Sequence, residues 1–530
     1  MTDLLTSFPP SALIDDAVGT ETAPRVDNAA EVFLTAPVAH RPHTPAVRDR
    51  HGVWTYAELD AAADAFARVL DGHGIKPGDR VLARVGSIRE FTALLYGTWR
   101  QGAVLVPINP GMKAFHLQAV LADSAPSLIV VESAERAGAE GLSWPSDVPV
   151  LVATELDLSG PADPEARTQV EVPADRLALL IYTSGSTSAP KAVACPHGPV
   201  VFAARAIQAR LHYRPDDVVL AAVPLSFDYG LYQILLCALS GSELLLSGPA
   251  DHARLLGFVR DHGATIVPLV PSLGELLVRL AGRDPRPTGV RLFTNTGAAL
   301  NAPLIAQLRE TFPGASVAPM YGTTECKRIT ILEADGDLAR PGSVGPALPG
   351  TEVLALDDDG RPLPPHEIGE LCVRGPHVMA GYWRAPEPTA LRFRPGPEGV
   401  TLHTGDYGYL DEDGHVYFRG RKDDLFKRRG SRMSSVEIEA AVLDIDGVRE
   451  AALLVPEGDR DMVLFAVGET DRLTGEQVLA RLGDRLEPAK VPDICHILPA
   501  LPLTPNGKTD RKELRRRLVE DAVEDTTDAH

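Results

Sequence analysis

Short apolar segments alternate with segments of helical periodicity along much of this sequence, and that alternation most limits the folds open to it. From Tyr56, "TYAELDAAADAFARVLDGHG" places apolar residues at helical spacing and is followed by "DRVLARV", which is typical of a buried strand. The alternation repeats with "REFTALLYGTWRQG" and "AVLVPIN" as far as Val130, and again from Gly198 to Pro271. Strands that alternate with helices predict parallel sheets with helices on their faces.

The remaining segments predict two further units. After Gly350, runs such as "GELCVRG" and "DGHVYFRGR" are short strands separated by turns, and they predict a β-rich subdomain. The last hundred or so residues predict a small α/β lid. The expected class is α/β, with a large N-terminal domain of parallel sheets flanked by helices. The predicted boundaries are 1–422 for this core (β-rich part about 345–422), 423–519 for the lid and 520–530 for an acidic tail.

Composition excludes several classes of function. A formal charge of -20 over 530 residues argues against nucleic acid or an anionic membrane as the main partner. The N-terminus lacks the pattern of a secretory signal, and no apolar run approaches the roughly 20 residues of a spanning helix. We therefore expect a cytoplasmic protein. Its five cysteines are widely spaced and predict reduced thiols without a zinc site.

A loop of small hydroxyl residues follows the apolar run "LALLI". In "YTSGSTSAPKAV", glycine permits close backbone approach, Ser and Thr add donors, and Lys191 adds a positive charge. This composition suits an oxygen-rich anion such as phosphate, although the spacing differs from that of the G-x-x-x-x-G-K-[ST] loop. The alternative for this stretch alone is a serine-rich surface turn.

Four further motifs follow the loop in a fixed order: "MYGTTE", "TGD", "GRKDDLFKRRG" and "PLTPNGKTDR". Together with the loop, they resemble the adenylate-forming superfamily of acyl-CoA synthetases, amino-acid adenylation domains and luciferases. The resemblance extends from about Tyr56 to Arg511. A sixth match, "GELCVRGPHVMAGYW", is interpreted as structural.

The resemblance implies attack of a substrate carboxylate on the α-phosphate of ATP, with Mg²⁺ as cofactor. Such a reaction mainly needs alignment and charge neutralisation. The residues implied in catalysis are Thr324, Glu325, which would also bind Mg²⁺, and Lys508. The nucleotide-binding residues implied are Thr183, Ser184, Gly185, Ser186, Thr187, Lys191, Tyr321, Gly322, Thr323, Asp406 and Arg421.

Several of these residues have specific implied roles. Tyr321 would stack on adenine, while Asp406 would accept two ribose hydroxyls, with Arg421 contributing from the other side. A rotation of the mobile lid about Asp423 would bring Lys508 to the substrate. Taken singly, an aspartate in a turn is usually a turn former and a lone lysine is usually solvated; only the ordered series of motifs favours function. His197 is a weaker candidate because such histidines are often structural.

The loop departs from the family pattern at two positions. Ser188 and Ala192 replace glycines of the usual TSGSTG-x-PKG, and a positive φ at Ser188 would cost on the order of 1 kcal/mol. We expect weaker ATP binding and a competent enzyme.

Five residues are candidates for binding the acid: Phe227, Asp228, Gly297, Lys327 and Arg328. In amino-acid-activating relatives an aspartate at the position of Asp228 pairs with the substrate ammonium, and a desolvated carboxylate favours amines. The alternative is that Asp228 caps a helix. Lys327 and Arg328 would receive a second carboxylate, or else would face solvent or pair with acidic neighbours.

These features favour a standalone ligase for an amino or β-amino acid, with aspartate or a methylated aspartate satisfying all three charged residues. No carrier domain is recognisable, so the thiol acceptor would be CoA or a separate acyl carrier protein. Two alternatives stay open: an acyl-CoA synthetase for a fatty or aromatic acid, and a non-catalytic ATP-binding relative.

Overall fold

The computed structural model describes residues 28–133, 144–159, 170–183, 191–297, 299–421, 425–428, 431–455, 461–470, 472–486, 488, 490–504 and 509–518. Twelve helices lie in these ranges, and residues 511–518 form one more. They are α1 Ala29–His40, α2 Tyr56–Gly72, α3 Arg89–Arg100, α4 Ala114–Ser124, α5 His197–Leu211, α6 Asp228–Ser240, α7 Leu255–Asp261, α8 Pro271–Arg283, α9 Ala302–Thr311, α10 Pro386–Arg392, α11 Ser435–Leu443 and α12 Gly475–Gly483.

The described strands follow the same chain order. They are β1 Pro45–Asp49, β2 Gly52–Thr55, β3 Arg80–Arg84, β4 Val104–Pro107, β5 Leu128–Val131, β6 Val150–Val152, β7 Leu177–Thr183, β8 Lys191–Pro196, β9 Val218–Ala221, β10 Glu243–Leu246, β11 Ile266–Leu269, β12 Leu292–Asn295, β13 Ser316–Tyr321, β14 Thr330–Ile331, β15 Glu352–Leu356, β16 Gly369–Arg374, β17 Phe393–Gly396, β18 Gly399–Leu410, β19 Val416–Arg421, β20 Leu425–Arg428, β21 Ser431–Ser434, β22 Val448–Leu454, β23 Val463–Gly468 and β24 Ile494–Ile497.

Two large sheets form the N-terminal domain. One has the order β14-β13-β12-β11-β9-β10-β1-β2 and the other β6-β5-β3-β4-β7-β8. Their inner strands are parallel, as the alternation predicts, whereas the edge pairs β1–β2, β13–β14 and β7–β8 are antiparallel. Strands β7 and β8 are antiparallel neighbours, and such a pair can be joined by a short loop such as residues 184–190.

Helices α1, α2, α3, α5 and α6 pack on one another, and their buried side chains form a single cluster with strands of both sheets. The start of α2 shows how local sequence sets these elements. Thr55 accepts a hydrogen bond from the backbone N–H of Glu58, and the Glu58 side chain accepts one from Thr55 in return. This capping box satisfies N–H groups that the first helical turn cannot pair, so the helix begins at Tyr56.

The β-rich part is an antiparallel sheet in the order β15-β16-β18-β17, with β19 also paired to β18. The C-terminal part contains the pair β20–β21 and the sheet β22-β23-β24. On one face of the sheet β22-β23-β24, Leu453 packs with Val442 of α11 and Val478 of α12. On the other face, Phe465 packs with Leu514 of the last helix. The predicted fold class is confirmed, while the domain boundaries and the motion of the lid stay predictions.

None of the helices described is both long enough and apolar enough to cross a membrane.

A buried ion-pair cluster joins α2 and α3. Arg100 is 7% exposed and contacts the carboxylates of Asp60 and Asp64, which are also buried. Substitution Arg100→Ala removes the cation that two buried carboxylates share, so we expect a loss of about 3–5 kcal/mol in the free energy of unfolding. Urea denaturation measures it. The matched control is Arg286→Ala, whose arginine is 74% exposed beside Asp284. An equal shift of the urea midpoint in both variants would contradict the expectation.

Candidate active site

The predicted phosphate loop joins the antiparallel strands β7 and β8. Thr183 ends β7 opposite Lys191, the first residue of β8, and the Thr183 hydroxyl lies 3.4 Å from the Lys191 carbonyl oxygen. The structure therefore places the two ends of the loop side by side. Ser184, Gly185, Ser186 and Thr187, together with Ser188, lie outside the described residues.

The outer edge of β8 pairs with the segment 380–383, from the motif interpreted as structural. Ala194 donates its N–H to Gly381 at 2.9 Å, and Trp383 donates to Ala192 at 2.9 Å. In the same segment, the Tyr382 hydroxyl donates to Oε1 of Glu325 at 2.6 Å. This segment thus links the strand after the loop to the predicted metal ligand, a connection that sequence analysis missed.

A tight turn over residues 322–328 carries the "GTTE" motif. A Cβ at Gly322 would lie 2.2 Å from the Lys327 carbonyl oxygen, so only glycine fits there. Lys327 has φ +69° and donates its backbone N–H to Thr323 at 2.7 Å. The turn leaves Thr323, Thr324 and Glu325 half-buried. Their oxygen atoms fit a magnesium–phosphate group, because Mg²⁺ prefers oxygen ligands.

Tyr321, Asp406 and Arg421 meet at the predicted ribose site. The Tyr321 hydroxyl donates to Oδ2 of Asp406 at 2.7 Å, and Nε of Arg421 lies 3.3 Å from Oδ1. Asp406 is 3% exposed, and burial raises the pKa of its carboxyl despite the opposing effects of Arg421 and Tyr321. Among the described residues no donor makes a hydrogen bond to Oδ1. A buried acceptor of this kind fits a ribose hydroxyl.

The ring of Tyr321 packs against Phe418, with ring centroids 5.5 Å apart and a tilt of 36°. Burial, with the charge of Asp406, raises the pKa of Tyr321 well above its ordinary value, so the hydroxyl stays a donor. Stacking of this ring on adenine stays a prediction, since Tyr321 is only 8% exposed.

A bulge in β18 aims Asp406 at this site. Glu370 pairs with Tyr407 and Cys372 with His403, so Leu371 alone lies opposite residues 404–406. The Glu370 carboxylate accepts the Gly405 N–H at 3.0 Å and a hydrogen bond from Nδ1 of His403 at 2.9 Å. A bulge interrupts the strand ladder and can redirect a side chain. Glu370 therefore supplies the acceptor that the sheet does not provide at Gly405.

Glu370 was not among the predicted site residues. Its sequence signal is an acidic residue directly before the apolar run "LCV" of the strand "GELCVRG". Burial alone would raise its pKa, but the hydrogen bonds from His403 and Gly405 leave the pKa below its ordinary value. The ligand-type atoms of Glu370, Cys372 and His403 lie within 4.8 Å of one another. Both contacts of His403 use Nδ1, which lies 2.9 Å from the Glu370 carboxylate and 3.3 Å from Sγ of Cys372.

The predicted acid-binding residues fall on three segments of the chain. Asp228 is the first residue of α6, Phe227 occupies the cap position, and Asp228 accepts the Tyr229 N–H at 3.0 Å. Asp228 therefore does not occupy the N-cap position, although its carboxylate accepts one N–H of the first turn. Nη1 of Arg328 lies 3.8 Å from Oδ2 of Asp228, and its guanidinium lies 4.8 Å above the Tyr229 ring. Gly297, with φ +84°, is exposed just beyond β12.

Lys327 and Arg328 do not face solvent, since they are 0% and 3% exposed. Nζ of Lys327 donates to the Thr324 carbonyl at 3.0 Å and lies 3.3 Å from Sγ of Cys195. Arg328 has an acidic neighbour, Asp228, whereas no ion pair of Lys327 occurs within the described ranges. The buried cations of Lys327 and Arg328 therefore lie on the same side of the site as the carboxylate of Asp228.

Three further predictions have different outcomes. Lys508 and the hinge Asp423 lie outside the described residues. His197 is fully buried, accepts the Ala29 N–H through Nδ1 at 3.2 Å and packs edge-on against Trp99. Burial lowers its pKa to about 3, which suits a neutral structural histidine.

Two family models match the chain in succession. The model described as "AMP-binding enzyme" matches residues 34–383, and that described as "AMP-binding enzyme C-terminal domain" matches residues 437–508.

Curated relatives include synthetases and ligases. The chain is 33% identical to the probable non-canonical nonribosomal peptide synthetase CymA of Salinispora arenicola, covering 91% of this chain and 6% of that protein. It is 34% identical to the phosphinothricin tripeptide synthetase PhsC of Streptomyces viridochromogenes, over 90% of this chain and 44% of that protein. It is 30% identical to the feruloyl-CoA synthase of an Amycolatopsis species, covering 90% and 96%. The chain thus spans less than half the length of each peptide synthetase and nearly all of the CoA synthase.

Solved structures show the same likeness. The chain shares 46% sequence identity with the crystal structure of VinN. The two superpose with a TM-score of 0.67 over 74% of this chain and 98% of VinN. A complex of VinN with L-aspartate is 44% identical with the same TM-score, covering 75% and 99%. ATP-bound MatB from Rhodopseudomonas palustris is 29% identical, with a TM-score of 0.82, covering 92% and 99%.

The contacts of Glu370 yield a prediction for nucleotide binding. Glu370→Ala leaves the Gly405 N–H without its acceptor, so Asp406 should lose its orientation and the KM for ATP should rise about tenfold. Glu370→Gln keeps an acceptor oxygen and should restore most of the difference, while kcat changes less than KM in both variants. Steady-state kinetics with varied ATP measures this. Equal kinetic losses in the two variants, or a fall in kcat alone, would contradict it.

Proposed function

This chain belongs to the family of AMP-binding enzymes, as the motifs indicate, and on that premise we propose that it activates an amino or β-amino acid with ATP. An oxygen of the substrate carboxylate attacks the α-phosphorus, a P–O bond breaks, and pyrophosphate leaves. The sulfur of an acceptor thiol then attacks the acyl carbonyl carbon, and AMP leaves. The acceptor in this proposal is a separate acyl carrier protein or CoA.

The nucleotide half of the proposal is supported by the ribose site. The buried Oδ1 of Asp406 accepts no hydrogen bond from the described residues and so could accept one from a ribose hydroxyl, while Tyr321 and Arg421 contact the same carboxylate. Thr183 and Lys191 flank the loop that would receive the phosphates. ATP-bound MatB has the same fold, which supports ATP as the nucleotide.

Magnesium fits the turn that follows. Glu325 is half-buried, and Tyr382 bonds one of its carboxylate oxygens and so fixes its direction. Mg²⁺ bound there would supply positive charge beside the phosphate oxygens. Thr324 would add an oxygen contact to the phosphates. Lys508, brought by the lid, would contact the substrate carboxylate and the α-phosphate.

The charges around Asp228 carry the substrate proposal. Asp228 offers a carboxylate to an ammonium group, and the buried Lys327 and Arg328 offer two cations to a carboxylate. A buried charge is costly unless a partner of opposite sign meets it, and a substrate with one amino group and a second carboxylate supplies both partners. Aspartate or 3-methylaspartate has this chemistry. The complex of VinN with L-aspartate supports the same class of substrate.

Carboxylate-dependent ATP–pyrophosphate exchange tests the proposal. The acids to compare are aspartate, 3-methylaspartate, β-alanine, 3-aminobutyrate, a medium-chain fatty acid and a benzoate. We expect exchange with the amino acids, strongest with the two aspartates. Exchange with the fatty acid or benzoate alone would instead favour an acyl-CoA synthetase, which the near-complete coverage of the feruloyl-CoA synthase also suggests. No exchange with any acid would favour a non-catalytic relative.

Asp228→Asn tests the amine site directly. Loss of the charge leaves a substrate ammonium unpaired in a partly buried position, so kcat/KM for amino substrates should fall about thirtyfold or more. ATP binding, measured by calorimetry, should be unchanged, because Asp228 lies at the acid end of the site. The matched control is Asp358→Asn, at an exposed aspartate after β15. Unchanged turnover in Asp228→Asn would remove this residue from the amine site.

A further inference from the structure

Cys195 lies on β8, next to the strand edge that the 380–383 segment covers. Its side chain is fully buried, with Sγ 3.4 Å from the Val193 carbonyl oxygen and 3.3 Å from Nζ of Lys327. Sequence analysis treated this cysteine as an ordinary core thiol. The contact with a buried ammonium group distinguishes it from Cys237, which is also buried but lies in the core away from any lysine contact described.

The Lys327 ammonium has three N–H donors, and the described residues account for two of them. One donates to the Thr324 carbonyl and one is directed at the Cys195 sulfur. The Tyr232 ring centroid is 6.0 Å away, which adds a weak cation–π attraction. The third N–H has no acceptor among the described residues, and Lys327 is fully buried. Nε of the neighbouring Arg328 also has no hydrogen-bond partner among the described residues, although Arg328 is 3% exposed.

The chemistry of the two acceptors matters for what Lys327 can bind. A carbonyl and a thiol fix the position of the ammonium without forming an ion pair with it, whereas a carboxylate in the place of Cys195 would form one. Burial raises the pKa of the Cys195 thiol, although Lys327 opposes this, so the sulfur stays uncharged near neutral pH. Lys327 thus forms no ion pair among the described residues, although the carboxylates of Asp228 and Glu325 also act electrostatically on Cys195.

We propose that Cys195 is a specificity-determining positioning residue: it holds Lys327 so that the remaining N–H and the charge meet the second carboxylate of the substrate. The proposal rests on the proposed function and names a residue that selects dicarboxylic amino acids over monocarboxylic ones. Cys195 does not contact the reacting atoms; it acts through Lys327.

The test compares two acids that differ by that carboxylate. Aspartate and β-alanine both carry an amino group and a carboxylate to be activated, but β-alanine lacks the second carboxylate. The variants are Cys195→Ala, Cys195→Ser and the control Cys237→Ala, which also removes a buried thiol. For each, kcat/KM is measured by pyrophosphate exchange, and the unfolding midpoint is measured by heating.

In Cys195→Ala we expect the preference for aspartate over β-alanine to fall about five- to tenfold, mainly through the KM for aspartate, since one hydrogen bond to Lys327 is lost. Cys195→Ser keeps an acceptor and should restore most of the preference, so it also serves if the alanine variant unfolds. Cys237→Ala should keep the wild-type preference.

A preference that is unchanged in both Cys195 variants, or that falls equally in Cys237→Ala, would overturn the proposal. Failure of the proposed function has a different signature, since the wild-type enzyme itself would then show no exchange with amino acids.

Discussion

The pairing of residues 380–383 with the outer edge of β8 is the contact on which the rest of the site depends. It connects a segment beside the β-rich sheet to the strand that follows the phosphate loop, through several backbone hydrogen bonds. Tyr382, in the same segment, fixes Glu325, and the Met379 N–H donates to the Glu325 carbonyl oxygen at 2.9 Å. Hydrogen bonds between backbones are directional and short. The end of the loop at β8 and the metal-ligand candidate are thereby held in one frame.

The helices and strands, and part of the nucleotide site, could be predicted from sequence. The elements follow from apolar periodicity, whereas the site residues follow from ordered motifs. The alternation from Tyr56 to Val130 predicts helices and strands because burial imposes periods of 3.6 and 2 residues on apolar side chains. It does not tell which strands share a sheet, so the division into two large sheets and their antiparallel edges came only from the structure. Asp406, Arg421 and Tyr321 were named from ordered motifs, and the structure brings these three together.

Other site residues could not be found this way, because their roles arise from contacts distant in sequence. Glu370 acts on Gly405 only because a bulge leaves that N–H without a strand partner, and pairing register is not visible in one sequence. The burial of Lys327 was missed for a related reason. A lysine beside an arginine usually indicates a solvated surface, and only the tertiary packing of β8 and α6 around this turn encloses both.

If Lys327 binds the acid as proposed, its left-handed backbone at φ +69° limits how the acid preference can change during evolution. A single mutation that exchanges this lysine must also tolerate a positive φ, which glycine does freely, asparagine does moderately well, and β-branched residues do poorly. A mutational route from a charged to an apolar pocket through Val or Ile at this position would thus distort the turn that carries Thr324 and Glu325. Under the proposed function, acid specificity and competence in the chemical step would be coupled at one backbone torsion. Descendants with apolar substrates would be expected to rebuild this turn before they change its side chain.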